Sequence, residues 1–312
     1  VITGQIQKNQ VSVVGTGTHG LENNDTVFIN VNPGLTTNVT VKYNLSNRKT
    51  IFNPLTFNDS GITSATSLTG IPNTINISNH GLVTGQKVIH TFSGSESSLV
   101  NDREYFVYVI DSDKISLVEN KYEVKKLKPD FVKVAITTAG TLSPVNPPIE
   151  FYRNSTVNFD VSDSSLSYVQ SSTRYPAFTF ELYKDIDLTQ KYETSGKNDT
   201  FDVSQTGSIG VSANAKITLR VDENTPKLLY YKLSPVQSSD NTNENKEIVV
   251  DNEVDLNNQI IIKNSEYNGQ FKIVSTGSTT FIYDINQIPE STSYSSPSSK
   301  LTYSTISTTA YG

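Results

Sequence analysis

The chain offers three imidazoles, His19, His80 and His90, and no thiol. Imidazole is the side chain most ready to bind a metal or move a proton near neutrality, so the placement of these three matters first. His80 and His90 are the close pair, but they span a turn and no third ligand stands near them. His19 and His80 occupy equivalent places in a repeated phrase. That equivalence suits a residue that caps or pins a turn in each copy. Gly15-Thr16-Gly17-Thr18-His19-Gly20 fits the dinucleotide-loop pattern letter for letter. That loop works by presenting the amides of a following helix to pyrophosphate, and here a polar turn and a strand-like run, Thr26 to Val31, follow instead. It reads as a turn. Asp111-Ser112-Asp113 and Asp185-Ile186-Asp187 open like calcium loops, yet neither continues with Gly at the sixth position and Glu at the twelfth. From Asp111 the twelfth residue is Tyr122. These also read as hairpin turns.

Other chemistries fall away on residue type. Without cysteine there is no disulfide, thiolate zinc site or cysteine nucleophile. No Gly-x-Ser-x-Gly elbow presents a serine. The acids are dispersed along strand edges, where charge also discourages edge pairing. Tyr230-Tyr231 is the most exposed-looking aromatic pair, with one ring expected inward; most other tyrosines alternate with apolar neighbours and belong in cores. No residue is assigned a catalytic, cofactor-binding or metal-binding role, and the chain reads as a non-enzyme without cofactor.

The repeated phrase points to the elements that carry these residues. Thr18-His19-Gly20-Leu21 leads to Asp25, Val27 and Ile29; Asn79-His80-Gly81-Leu82 leads to Gly85, Val88 and His90. The copies are offset by 61 positions, and each His lies eight residues before the aligned Val. A second internal likeness links Asn101 to Tyr105 with Tyr267 to Phe271, and Lys114 to Leu117 with Thr280 to Tyr283. Repeats of this kind mark an array of small β modules.

Helical periodicity is nearly absent, and Gly, Pro and Asn punctuate short alternating runs. Val11 to Val14, Thr26 to Val31 and Val39 to Tyr43 read as strands. So do Lys87 to Phe92, Tyr105 to Ile110, Lys114 to Val118 and Phe131 to Ile136. Later runs are Thr156 to Val161, Ala177 to Tyr183, Ala215 to Val221 and Leu228 to Leu233. The expected fold class is all-β: serial small β-sandwich or barrel-like domains joined by short linkers. A softer boundary falls around Asp59 to Ser67. Ser143-Pro144-Val145-Asn146-Pro147-Pro148 and the wholly polar Gln237 to Lys246 divide the rest; Ser291 to Ser299 is a further low-complexity stretch. The division is an N-terminal module at 1–62, a His-Gly-Leu module at 63–143, an antiparallel sandwich at 147–236 and a C-terminal module at 247–312.

Composition agrees with thin modules. Of 312 residues, 35% are hydrophobic and 18% charged, lean for one large core. The net charge of −6 argues against nucleic-acid phosphates as partners. The basic run Lys125-Lys126-Leu127-Lys128 is too short to alter that. No stretch has the apolar length of a membrane helix. Methionine is absent, the initiator included, and the chain opens in mid-strand, so a piece of a longer polypeptide is expected.

His80-Gly81-Leu82-x-x-Gly85-x-x-Val88, followed by Tyr105-x-Val107-x-Val109-x-Asp111 and Ile115-x-Leu117, resembles a module of cyanophage tail and baseplate structural proteins. Tyr267-Asn268-Gly269 with Thr280-Phe281-x-Tyr283 resembles a variant of it, and Tyr303-Ser304-Thr305 to Tyr311-Gly312 has the same character. Phe159 to Leu166 with Leu229-Tyr230-Tyr231 is similar to a cupredoxin-like sandwich of the same proteins. Copper-binding cupredoxins use Cys, His and usually Met near the last strand. Here Lys232-Leu233-Ser234 stands there, and the copper ligands are missing. The resemblance implies a structural component of a phage tail or baseplate, located in the virion and assembled in the host cytoplasm. Its implied partners are other tail or baseplate proteins and further copies of the chain, as a trimer or hexamer, with no nucleic acid and no membrane. The alternative is a receptor-binding tail fibre or adhesin that recognises host-surface glycans.

Overall fold

A computed structural model of the chain describes residues 9–14, 18–32, 36–58, 62–63, 74–93, 100–125, 139–192, 202–222, 224–236, 258–264, 269–285 and 300–305. Several readings above lie outside them: Gly15 to Gly17, most of Asp59 to Ser67, the strand Phe131 to Ile136, both polar stretches, Tyr267-Asn268 and the last residues. The described chain is almost entirely β, with strands numbered β1 to β23 in chain order. No helix among the described residues is long and apolar enough to cross a membrane.

The sheet around the second His-Gly-Leu phrase is the simplest to build. It comprises β5 (Leu55–Phe57), β6 (Ile62–Thr63), β7 (Thr74–Asn76), β8 (Lys87–Phe92), β9 (Arg103–Asp111), β10 (Lys114–Val118) and β11 (Gly140–Pro144). The strand order is β5-β11-β8-β9-β10-β7-β6. Alternation does the folding: Val88, Tyr105, Val107, Ile115, Leu117 and Leu142 turn inward and make one core. Pro144 is accommodated at the end of β11, where the next amide, Val145, donates to the Lys87 carbonyl at 3.0 Å.

The sheet around the first phrase has the same plan from distant pieces. β1 (Asn9–Val14) and β2 (Thr26–Asn32) join β21 (Gly269–Thr276), β22 (Thr280–Ile285) and β23 (Lys300–Thr305) in the order β1-β22-β21-β2-β23. The equivalent order in the other module is β7-β10-β9-β8-β11. Register agrees strand for strand. Val13 faces Phe281 as Ile75 faces Ile115. Thr26 faces Lys272 as Lys87 faces Phe106. Phe28 faces Ser304 as Ile89 faces Ser143. The two internal likenesses in the sequence are therefore halves of one repeat. One copy is contiguous; the other is split, and the rest of the chain intervenes between Asn32 and Gly269. Of the strands in 1–62 and 247–312, β1 and β2 share a sheet with β21 to β23 and a core of Leu21, Val27, Ile29, Ile273, Phe281, Tyr283 and Ile285.

The sandwich is likewise assembled across the expected boundaries. One sheet is β12 (Ile149–Tyr152), β20 (Gln259–Lys263), β19 (Leu228–Pro235) and β16 (Phe178–Tyr183). The other is β17 (Val203–Thr206), β18 (Lys216–Val221), β13 (Ser155–Asp160), β3 (Thr36–Asn44) and β4 (Lys49–Phe52). The antiparallel pairs expected from 147–236 form, but β3 pairs parallel with β13 and β20 parallel with β12. Parallel neighbours need a long crossover, and for β3 and β13 a whole module supplies it: the β5–β11 unit lies between them. Phe52, Phe151, Phe159, Phe180 and Tyr231 fill the space between the sheets. Phe52 meets Tyr231 edge-on at 4.6 Å, and Phe159 lies 4.9 Å from Phe180. A separate hairpin, β14 (Ser167–Gln170) and β15 (Thr173–Pro176), turns through Ser171 and Ser172, both at positive φ.

Sandwich and contiguous module meet at a small apolar cluster of Ile51, Ile89 and Val145. Around it the Asn47 side-chain amide donates to the Asp102 carbonyl at 2.8 Å, and the Asn146 backbone N–H to the Thr50 carbonyl at 3.1 Å. Phe28, which holds the place of Ile89 in the split module, is 47% exposed, whereas Ile89 is fully buried.

Candidate functional site

The two repeat histidines perform one local task. His80 Nδ1 accepts the Leu82 N–H at 2.9 Å. Nε2 must then carry the proton, and it donates to the Asp111 carbonyl at the tip of the β9–β10 hairpin, 2.9 Å away. In the split module His19 Nδ1 accepts the Leu21 N–H at 3.0 Å, and Nε2 donates to the Thr280 carbonyl at 3.0 Å. Gly20 and Gly81, at φ +66° and +63°, let the chain double back so that an imidazole can reach the amide two residues on. Asn24 at φ +73° holds the place of Gly85 at +89°. The Asn24 and Gly85 amides donate to Ile273 and Val107 at 2.9 and 2.8 Å. Both histidines pin a loop onto a hairpin, as the turn reading expects.

His90 lies elsewhere, buried between Phe57, whose ring is 5.8 Å away and stacked, and Phe92 at 5.2 Å. Gly140 is packed so closely that a Cβ there would come 2.8 Å from His90 Nε2 and 2.9 Å from the Thr91 carbonyl oxygen. The histidines are thus engaged separately.

The carboxylates of the calcium-like sequences are also engaged in turns. Asp111 Oδ1 accepts the Asp113 N–H at 2.9 Å, and Asp113 Oδ1 accepts the Asn79 N–H at 2.7 Å. Asp185 accepts from the Thr189 hydroxyl at 2.7 Å and the Gln190 amide at 2.6 Å. Among the described residues no group of three or more His, Asp or Glu side chains is arranged to hold a metal ion.

Asp163 and Glu181 on the sandwich have altered acidity. Partial burial pushes Asp163 up, but the Ser165 amide and hydroxyl and the Lys42 ammonium outweigh it and hold the carboxyl below its ordinary range. Glu181 is likewise pushed up by burial and pulled below its ordinary range by Lys191, the Tyr183 hydroxyl and Ser234. Each is a clamp between neighbouring segments. Tyr231 is the inward ring of the tyrosine pair: its hydroxyl donates to the Pro147 carbonyl at 2.8 Å, and full burial raises its pKa well above the ordinary phenol value.

A feature missed in the sequence is a groove of about 310 Å³ where the contiguous module meets the sandwich. The loop Val83 to Lys87, the turn Lys121 to Lys125 and Pro147-Pro148 line it. The basic run gave a signal for Lys125, and Lys121 shares its turn, but Lys87 is brought there only by folding. The stacked pair Tyr168 and Tyr175, 5.6 Å apart on the β14–β15 hairpin, was missed as well. No family model, curated protein or solved structure matches this chain in comparisons with known proteins.

Proposed function

We propose that this chain is a structural component of a phage tail or baseplate that works by assembly and not by catalysis. The duplicated histidine-pinned module carries the reading. The residue types most able to do chemistry are spent in both copies on fixing a loop to a hairpin. What such a unit offers a neighbour is rigid surface. The sequence resemblance to cyanophage tail and baseplate modules supplies the setting. Ring-like tails would hold several copies, three or six, and repeated weak contacts would add avidity. The test is mass spectrometry and imaging of purified particles from the phage that encodes the chain. The chain should be present at a multiple of three or six copies, and its absence from particles removes the proposal.

A second reading, a tail fibre that grips host-surface glycans, has one feature in its favour. Tyr175 and Val169 are exposed on the β14–β15 hairpin, and the Tyr175 ring stacks on Tyr168. A glycan array separates the two: saturable binding lost in Tyr175→Ala supports the fibre, and a scaffold binds nothing there.

A further inference from the structure

The groove between the contiguous module and the sandwich is at odds with the charge of the molecule. The chain carries a net charge of −6, yet Lys87, Lys121 and Lys125 line this groove with no carboxylate among its lining residues. Lys87 shares its charge with Glu104, 3.2 Å away on β9. Lys121 and Lys125 are exposed on the turn after β10. Between the ammonium groups the walls are aliphatic: Val83, Val124, Val145, Pro147 and Pro148. The split module has Glu22, Asn23, Asn24 and Asp25 where this one has Val83, Thr84, Gly85 and Gln86. The groove is therefore a property of one copy and not of the repeat.

Its backbone is already committed. The Gly85 amide donates to Val107, the Val145 amide donates to Lys87, and the two prolines have no N–H to give. Those amides and prolines offer no main-chain donor to an added strand, so recognition falls mainly to the ammonium groups and the aliphatic floor. No aromatic ring lines the groove to stack on a sugar face. We infer that the groove receives an extended segment of a neighbouring subunit in which carboxylates alternate with β-branched aliphatic side chains. Carboxylates would meet Lys121 and Lys125 at the rim while the aliphatic side chains rest on Val83, Val124 and the prolines. The inference rests on the assembly reading and names the chemistry of the partner.

The test uses the intact chain and a fluorescent peptide of alternating Glu and Val, followed by anisotropy at low ionic strength. The expected result is saturable binding that weakens with salt and falls by about tenfold in Lys121→Glu/Lys125→Glu. Lys227→Glu, an exposed charge on the sandwich, should leave it unchanged, and the thermal midpoint of each variant reports on folding. Equal binding of an all-Glu peptide, equal affinity in the double variant, or no saturable binding overturns the inference. Binding that emerges only when Glu247, Asp251, Glu253 and Asp255 are changed to their amides also overturns it, because the chain's own segment then competes for the groove. A chain found in particles but unable to bind the peptide sinks the groove alone; absence from particles removes the assembly reading whatever the peptide does.

Discussion

At the scale of single residues, His80 and His19 are defined by what both ring nitrogens do at once. Removing the His80 ring leaves the Leu82 N–H and the Asp111 carbonyl to find other partners. His80→Ala should cost about 2 kcal/mol, read by chemical denaturation, the sum of two such net losses. His80→Phe keeps the ring but neither nitrogen, so it should not restore stability; full stability in that variant would show that packing, not hydrogen bonding, holds the loop. Gly210 is a sharper case. It sits at φ +69°, and a Cβ there would come 2.6 Å from the backbone carbon of Leu166. Backbone cannot yield as a side-chain tip can, so Gly210→Ala should lower the stability of the sandwich by about 2 kcal/mol or more. A melting midpoint equal to that of the parent would contradict this packing.

At the scale of elements, Asp163 links three pieces of chain. It caps the short 3-10 turn Ser164–Leu166, accepting the Ser165 amide at 2.9 Å, and pairs with Lys42 on β3 at 3.0 Å. Its folded pKa is depressed, so its contribution is complete above the ordinary carboxylate value of about 4 and disappears as pH falls through the folded value. Asp163→Ala should thus be less stable than the parent by about 1 kcal/mol at neutral pH. The gap should close under acid, where the parent carboxyl is also neutral. Urea titrations at both pH values check this, and a gap that persists unchanged in acid would deny the carboxylate its role. The strands that flank such clamps were legible because alternation is local: Lys87–Phe92 and Lys114–Val118 match the expected runs residue for residue. Pairing was not. Nothing in Val39 to Tyr43 says that β3 will lie parallel to β13, since the crossover joining them is an entire module.

At the scale of the whole molecule, the split repeat dominates. β2 finds its partners in β21 and β23, so the first module cannot close until the C-terminal strands exist. The contiguous module and its core have no such dependence. A chain ended after Asn264 should therefore lose protection from hydrogen exchange at Val27 and Ile29 while keeping it at Val88 and Val107. Equal protection in all four would show that β1 and β2 hold together without β21 to β23. The groove belongs to the same scale: its lysines stand on β8 and on the turn after β10, and its prolines on the approach to β12.

By itself the sequence determined the β character, the two His-Gly-Leu phrases, the hairpin likeness and the lack of thiol chemistry, because each depends on residue type and short spacing. Which fragments complete one another was decided only by folding. Backbone hydrogen bonds carry no sequence label, so the same alternating run can pair with a neighbour in the chain or with one arriving from the far end. The choice is made where side chains from both sides close a core, as Val27 and Ile29 do with Ile273 and Phe281. In the same way Lys87 joins Lys121 and Lys125 around an aliphatic floor only through the folding of the contiguous module against the sandwich.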